Sequence, residues 1–131
     1  MKTRIEFTHS PIVPPAPEFS SREIGAQLDF FGLVRELENG GKIPGLFYEA
    51  YEPMARSELA KILQELAAKH PCEELVFIHR LGFVPVGEAS LFIRIGSRHR
   101  QASLALMGEL IDRLKADVPI WKVLRLDRDW V

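Results

Sequence analysis

The sequence predicts an α+β fold: a mainly antiparallel sheet with two main helices packed on it. Three observations carry this expectation. Segments with the two-residue alternation of strands occur at both ends of the chain and in its middle. Two longer segments, one after Pro53 and one after Arg98, repeat their apolar residues at helical spacing. Neighbouring strand-like segments are joined by Gly- and Pro-containing turns in the manner of hairpins, which favours antiparallel pairing.

"KTRIEFT" (Lys2–Thr8) alternates and is rich in β-formers, so it reads as the first strand. "HSPIVPPAPEFSS" follows with four prolines, which remove backbone donors and favour an extended linker. Gly25–Arg35 reads as a strand with a bulge or bend at Gly32. "ELENGGKIPG" has the turn residues of a mobile surface loop, and Leu46–Tyr51 resumes the strand pattern. Pro53 suits the first turn of a helix whose apolar stripe is Leu59, Ile62, Leu63 and Leu66, and His70-Pro71 ends it. "ELVFIHRLGFV" and "EASLFIRIG" read as an antiparallel hairpin with a long loop at Pro85 and Gly87. A second helix is expected from about Arg98 to Ala116, with Leu104, Met107, Leu110, Ile111 and Leu114 inward. Pro119 forces its exit, and "IWKVLRL" (Ile120–Leu126) is the last strand.

The 131 residues are read as a single domain (1–131), large enough to bury a core without disulfides or metals. A formal net charge of −1 gives no bulk attraction to nucleic acid or an anionic membrane, so any anion site must come from local clustering. The lone cysteine, Cys72, excludes an intrachain disulfide and fits a reducing compartment. No apolar run approaches the roughly 20 residues of a bilayer span, and the first residues lack the apolar segment of a signal peptide. The expectation is a soluble cytoplasmic protein.

"GSRHRQAS" (Gly96–Ser103) is the least ordinary cluster. Arg98, His99 and Arg100 stand where a strand gives way to a helix, and free N–H groups at that point attract anions. Basic residues there oppose ordinary helix design, so the segment reads either as an anion site or as a solvated basic turn. Arg35 ends a strand beside the Gly-rich loop and could hold a phosphate bidentately; alone it is an ordinary strand-end arginine. Lys115 lies in the last helical turn, where the dipole favours a cation. Lys122, beside Ile120, Trp121 and Val123, needs an anionic partner or a depressed pKa. Cys72 reads as a small buried hydrophobe and His79 as a hydrogen-bonded core histidine. The spacing His70, Cys72, His79 matches no standard zinc pattern.

Taken together, "FFGLVR", "YEAYEPMA", "IHRLG", "VPVGEASLFI", "SRHRQA" and "LKADVPIWK" resemble the large catalytic subunit of molybdopterin synthase, in that family's order and at similar spacing. The terminal "DRDWV" resembles the Trp-Val near that family's C-terminus. Where the family commonly has a basic residue and a glutamate after the Trp-Lys pair, this chain has Val123 and Leu124.

The resemblance implies an α/β-hammerhead type of fold and a sulfurtransferase. Such an enzyme converts cyclic pyranopterin monophosphate to molybdopterin, using sulfur from the C-terminal Gly-Gly thiocarboxylate of a small ubiquitin-like subunit. It implies a homodimer within a heterotetramer and no metal or other cofactor, since molybdenum is inserted later by other proteins. By the same resemblance Lys115 and Lys122 are catalytic, and Arg35, His99 and Arg100 bind the substrate's phosphate. A rival expectation is a non-catalytic adaptor of the same fold that docks a ubiquitin-like tail. A nucleic-acid module built on "SRHR" lacks the net positive charge and interleaved aromatics that one needs.

Overall fold

The computed structural model describes residues 1–18, 21–38 and 40–123. Along them run β1 (Lys2–Thr8), β2 (Ala26–Leu33), β3 (Leu37–Glu38), β4 (Gly41–Lys42), β5 (Gly45–Ala50) and α1 (Glu52–Lys69). There follow β6 (Glu74–Arg80), β7 (Gly82–Pro85), β8 (Ala89–Ser97), α2 (Arg100–Asp117) and β9 (Ile120–Val123). The α+β expectation is borne out. The continuation of the last strand to Leu126, the Leu124 position and the terminal Trp130-Val131 lie outside the described residues.

A four-stranded sheet has the order β1-β6-β8-β2, and a three-stranded sheet the order β7-β5-β9. β8 pairs antiparallel with both β2 and β6, while β1 adds to β6 in parallel. The bulge expected at Gly32 is present: Gly32 faces Leu91 but Leu33 faces Ala89, leaving Ser90 as the extra residue.

Two expectations are corrected. The segment from Glu74 to Val84 is not one hairpin arm. Gly82, at φ +83°, turns the chain out of the larger sheet, and Gly82–Pro85 pairs with β5 instead. The Gly-rich segment after Glu36 is also more ordered than a loop. Leu37 pairs with Lys42 and Glu38 with Gly41, and Gly40 takes the positive φ of +81° that this tight turn needs.

Both helices cover one face of the larger sheet. Alternation sends Leu91, Ile93 and Ile95 of β8, with Leu75 and Phe77 of β6, into a core shared with Leu59, Ile62, Leu63 and Leu66 of α1. From α2 come Leu106, Met107, Leu110 and Leu114. Leu104, expected inward, is 54% exposed. The sheet-facing stripe runs through Ser103, Leu106, Met107, Leu110 and Leu114, and Leu104 lies roughly 100° from its centre. A smaller core of Val34, Ile43, Leu46 and Val84 underlies the three-stranded sheet, with Tyr48 and Val86 against it.

The opposite face of the larger sheet is polar at its centre. Arg94, 6% exposed, donates to both carboxylate oxygens of Asp29, its register partner on β2, at 2.8 and 2.9 Å. It also donates to the Pro15 carbonyl at 2.6 Å, which ties the proline-rich segment to this face. The hydrogen bonds from Arg94 hold the Asp29 carboxyl below its ordinary range, against a desolvation that raises it. Asp29→Ala leaves that guanidinium with a carbonyl alone and is expected to cost about 3 kcal/mol at pH 7, read as a lower urea midpoint at unchanged slope. A carboxyl depressed in the fold stabilises it above the unfolded value of about 3.9, and that contribution is lost as pH falls through the folded value. The variant is therefore expected to lose less stability than the parent between about pH 5 and about pH 2.

Candidate active site

The antiparallel register of β5 and β9 sets Tyr48 opposite Lys122, so their side chains leave the same face of the smaller sheet. The β3–β4 hairpin brings Glu38 to that face. Lys122 Nζ stands 3.8 Å from Glu38 Oε2, with the carboxylate side chain 22% exposed and the lysine 53%. The anionic partner that Lys122 required is thus supplied from a distant part of the chain. Burial raises the Tyr48 phenol above its ordinary value, the nearby Glu38 charge adds to this, and a hydrogen bond with the Ser90 side chain opposes it. Ser90 itself donates to the Gly32 carbonyl at 3.3 Å. His79 packs edge-on against the Tyr48 ring at 5.1 Å, and its Nδ1–H donates to the Arg80 carbonyl at 2.8 Å. Burial pushes His79 down to about 4, against the raising effect of that hydrogen bond, so the ring is neutral at pH 7. It is a hydrogen-bonded core histidine, as its place on an apolar strand suggested.

Lys115 is exposed in the last turn of α2. Val118 caps that helix and Pro119 leads directly into β9, where the Tyr51 N–H donates to the Pro119 carbonyl at 3.2 Å. This short connection keeps Lys115 and Lys122 at the same end of α2. Arg35 is exposed just beyond β2, after Val34 is clamped by bonds between its N–H and the Glu88 carbonyl and between its carbonyl and the Gly87 N–H. Since Leu33 pairs with Ala89, Arg35 leaves the larger sheet where β8 begins. Among the described residues, neither Lys115 nor Arg35 is engaged by a carboxylate.

His99 and Arg100 stand elsewhere. They follow the far end of β8, where Ser97 pairs with Ala26. His99 is the N-cap of α2 in extended conformation, Arg100 is its first residue, and the first turn holds no acidic residue. Ser97 Oγ donates to the His99 carbonyl at 2.7 Å and fixes the entry to the helix. Arg98 is bound to Glu23 at 2.8 Å and to Glu73 at 3.4 Å. His99 and Arg100 are exposed and, among the described residues, unpaired by any carboxylate, beside a helix end whose free N–H groups favour anions.

The five expected residues therefore fall into two groups within one chain. From Arg100 in the first turn to Lys115 in the last turn of this 18-residue helix is about 22 Å. From Ala26 to Leu33 along β2 is about 23 Å. Arg35, Lys115 and Lys122 share one end; His99 and Arg100 share the other. Sequence reasoning did not find Glu38 or Tyr48, because only the pairing of β5 with β9 and the short hairpin bring them to Lys122.

Cys72 is a buried thiol, raised to about 11 chiefly by desolvation and then by Glu73, and is unsuited to attack as a thiolate near neutral pH. His70 is paired with Glu109. A cleft of about 340 Å³ on the polar face of the larger sheet is lined by Lys2, Arg4, Pro15, Glu18, Glu74 and Arg94, away from all five residues. Its cations are already matched by Glu74, Glu6 and Asp29. Among the described residues no helix is long and apolar enough to cross a membrane.

A family profile described as "MoaE protein" matches residues 7–117. The molybdopterin synthase catalytic subunit of Bacillus subtilis is 40% identical over 121 residues, which cover 91% of this chain and 77% of that protein. The human molybdopterin synthase catalytic subunit is 48% identical over 98 residues, 75% of this chain and 52% of that protein. The chain thus spans about half the length of the mammalian relatives it matches. Among solved structures, molybdopterin synthase from Staphylococcus aureus superposes with a TM-score of 0.81 at 31% identity, covering 93% of this chain and 90% of that one. A complex of subunits 1 and 2 of molybdopterin-converting factor from Helicobacter pylori gives a TM-score of 0.66 at 29% identity, covering 77% of this chain and 66% of that one. With the profile spanning most of its length and its fold shared with these structures, the chain belongs to the MoaE protein family.

Proposed function

We propose that the chain is the catalytic subunit of a molybdopterin synthase. It converts cyclic pyranopterin monophosphate to molybdopterin with sulfur delivered as the C-terminal thiocarboxylate of a small ubiquitin-like subunit. The observation that carries this reading is the near-full-length match to the Bacillus subtilis catalytic subunit. The two-subunit complex of the Helicobacter pylori relative supports a small partner. A single, buried, unpaired cysteine agrees with a reducing cytoplasm.

In this reading Lys115 moves protons and offsets negative charge on the carbonyl of the incoming tail, and Lys122 neutralises substrate charge and helps hold Lys115 reactive. The sulfur comes from the partner, so the inert Cys72 has no part in the chemistry. Arg35, His99 and Arg100 hold the cyclic phosphate. Their separation has a consequence. One pocket containing Lys115 and Arg100 requires Lys115 of one copy and Arg100 of another, and a two-fold dimer forms two such pockets at once.

Lys115→Ala is expected to lower turnover of pyranopterin precursor with thiocarboxylated partner by at least about a hundredfold, with dimer and partner binding retained. Near-normal turnover would make Lys115 an ordinary helix-end cation, and partner binding without product in the parent protein would favour the adaptor. Arg100→Ala is expected to weaken precursor binding by roughly tenfold to a hundredfold while leaving partner affinity close to that of the parent. Equal loss of both would remove the phosphate role. Re-dimerising an equal mixture of the two variants, assayed at precursor levels too low for Arg100→Ala to bind it, is expected to restore up to about a quarter of parent activity. Half of the dimers are then mixed, each with one undamaged pocket. A mixture as inactive as its components would show that each pocket is built within one chain.

A further inference from the structure

We propose that Glu38 is the positioning residue of Lys122, holding its amine at the substrate end of the smaller sheet without occupying its hydrogen-bond donors. The inference rests on the reading of Lys122 as an active-site residue and adds a group that neither its spacing nor its neighbours in sequence indicated.

Four features of the structure support it. The carboxylate is the more buried member of the pair, so Glu38 is the group that most needs a counter-charge, and Lys122 is the only cation paired with it among the described residues. The separation of 3.8 Å is that of an ion pair but is too long for a committed hydrogen bond, which leaves the amine's three N–H donors for a ligand. A free lysine amine sweeps a wide volume on its four-carbon stem; a fixed carboxylate narrows that volume to one side of the sheet. Finally, Glu38 is itself fixed. It pairs with Gly41 across a turn set by Gly40, and the Ile43 N–H donates to the Glu36 carbonyl at 2.9 Å, which anchors the hairpin to the small core. The other acid of this hairpin, Glu36, is more exposed and lies 4.0 Å from Lys42, so it does not compete for Lys122.

Tyr48 shares this face as the register partner of Lys122.

The test uses the full chain with thiocarboxylated partner and pyranopterin precursor, and compares Glu38→Gln, Glu38→Asp, Lys122→Ala and the Glu38→Gln/Lys122→Ala double variant. Glu38→Gln keeps the shape of the side chain and removes its charge. It is expected to lower kcat on the order of tenfold, with partner affinity and thermal midpoint close to those of the parent. Glu38→Asp is expected to recover part of the loss. Because Glu38 acts through Lys122, the double variant is expected to be no slower than Lys122→Ala alone. Unchanged kcat in Glu38→Gln, beside a slow Lys122→Ala, would overturn the positioning role and leave Lys122 in the site. So would losses that multiply in the double variant. Near-normal turnover in Lys122→Ala would instead overturn the reading of Lys122 and this inference with it.

Discussion

The burial of β8 between β6 and β2 constrains where each candidate site residue can lie. β8 is buried along nearly its whole length, since the helices cover one face and Phe92 and Arg94 are enclosed on the other. A helix that follows such a strand through a tight turn must run back over it to bury its own apolar stripe. α2 does so, with Leu106, Leu110 and Leu114 against Leu91, Ile93 and Ile95. Its N-terminus is thereby fixed at one end of the sheet and its C-terminus at the other. Everything basic at the start of α2 is separated from everything basic at its finish by the length of the helix. Turning the far face inward carries its own electrostatic cost. Arg94 is tolerated there because Asp29 and the Pro15 carbonyl satisfy it.

Against that frame the cations divide by what they touch. Arg94, Arg98, Arg80 and Arg113 are each bound to carboxylates and hold strands, loops or helices together. Arg35, His99, Arg100 and Lys115 are not, among the described residues. A net charge of −1 conceals this division, because it does not distinguish cations bound to carboxylates from cations left open. Exposed cations without a carboxylate partner therefore stand at both ends of α2, although the chain as a whole is nearly neutral.

The parts legible in the sequence are those decided by local pattern. The stripe of Leu59, Ile62, Leu63 and Leu66, the stop at His70-Pro71 and the alternation of β8 follow from period and from proline geometry, and each is realised. The parts not legible depend on pairings between remote segments. Nothing near Gly82 announces that the four residues from Gly82 to Pro85 will pair with β5, and nothing near Lys122 points to Glu38. Leu104 was misplaced for a subtler reason: an apolar residue at the margin of a wide stripe satisfies the period, and only the rotation of α2 on its sheet decides whether it is covered. The resemblance named Lys115 and Lys122 together, yet it could not show that His99 and Arg100 stand a helix length away.

The two ends of α2 and the Glu38–Lys122 pair bear on one electrostatic problem. Lys115, Lys122 and Arg35 gather at one end, and a second copy bringing His99 and Arg100 would add still more positive charge to the same pocket. Like charges at such density repel, and a pocket made of them alone would disperse its side chains before any anion arrived. Glu38 relieves that repulsion at Lys122 while leaving the amine's donors uncommitted, because 3.8 Å supplies Coulomb attraction without a full hydrogen bond. The remaining excess is what a phosphate and a thiocarboxylate together would neutralise. A carboxylate committed to a full hydrogen bond with Lys122 would compete with those ligands, whereas Glu38, held on a hairpin 3.8 Å away, would leave the proposed pocket receptive to anions.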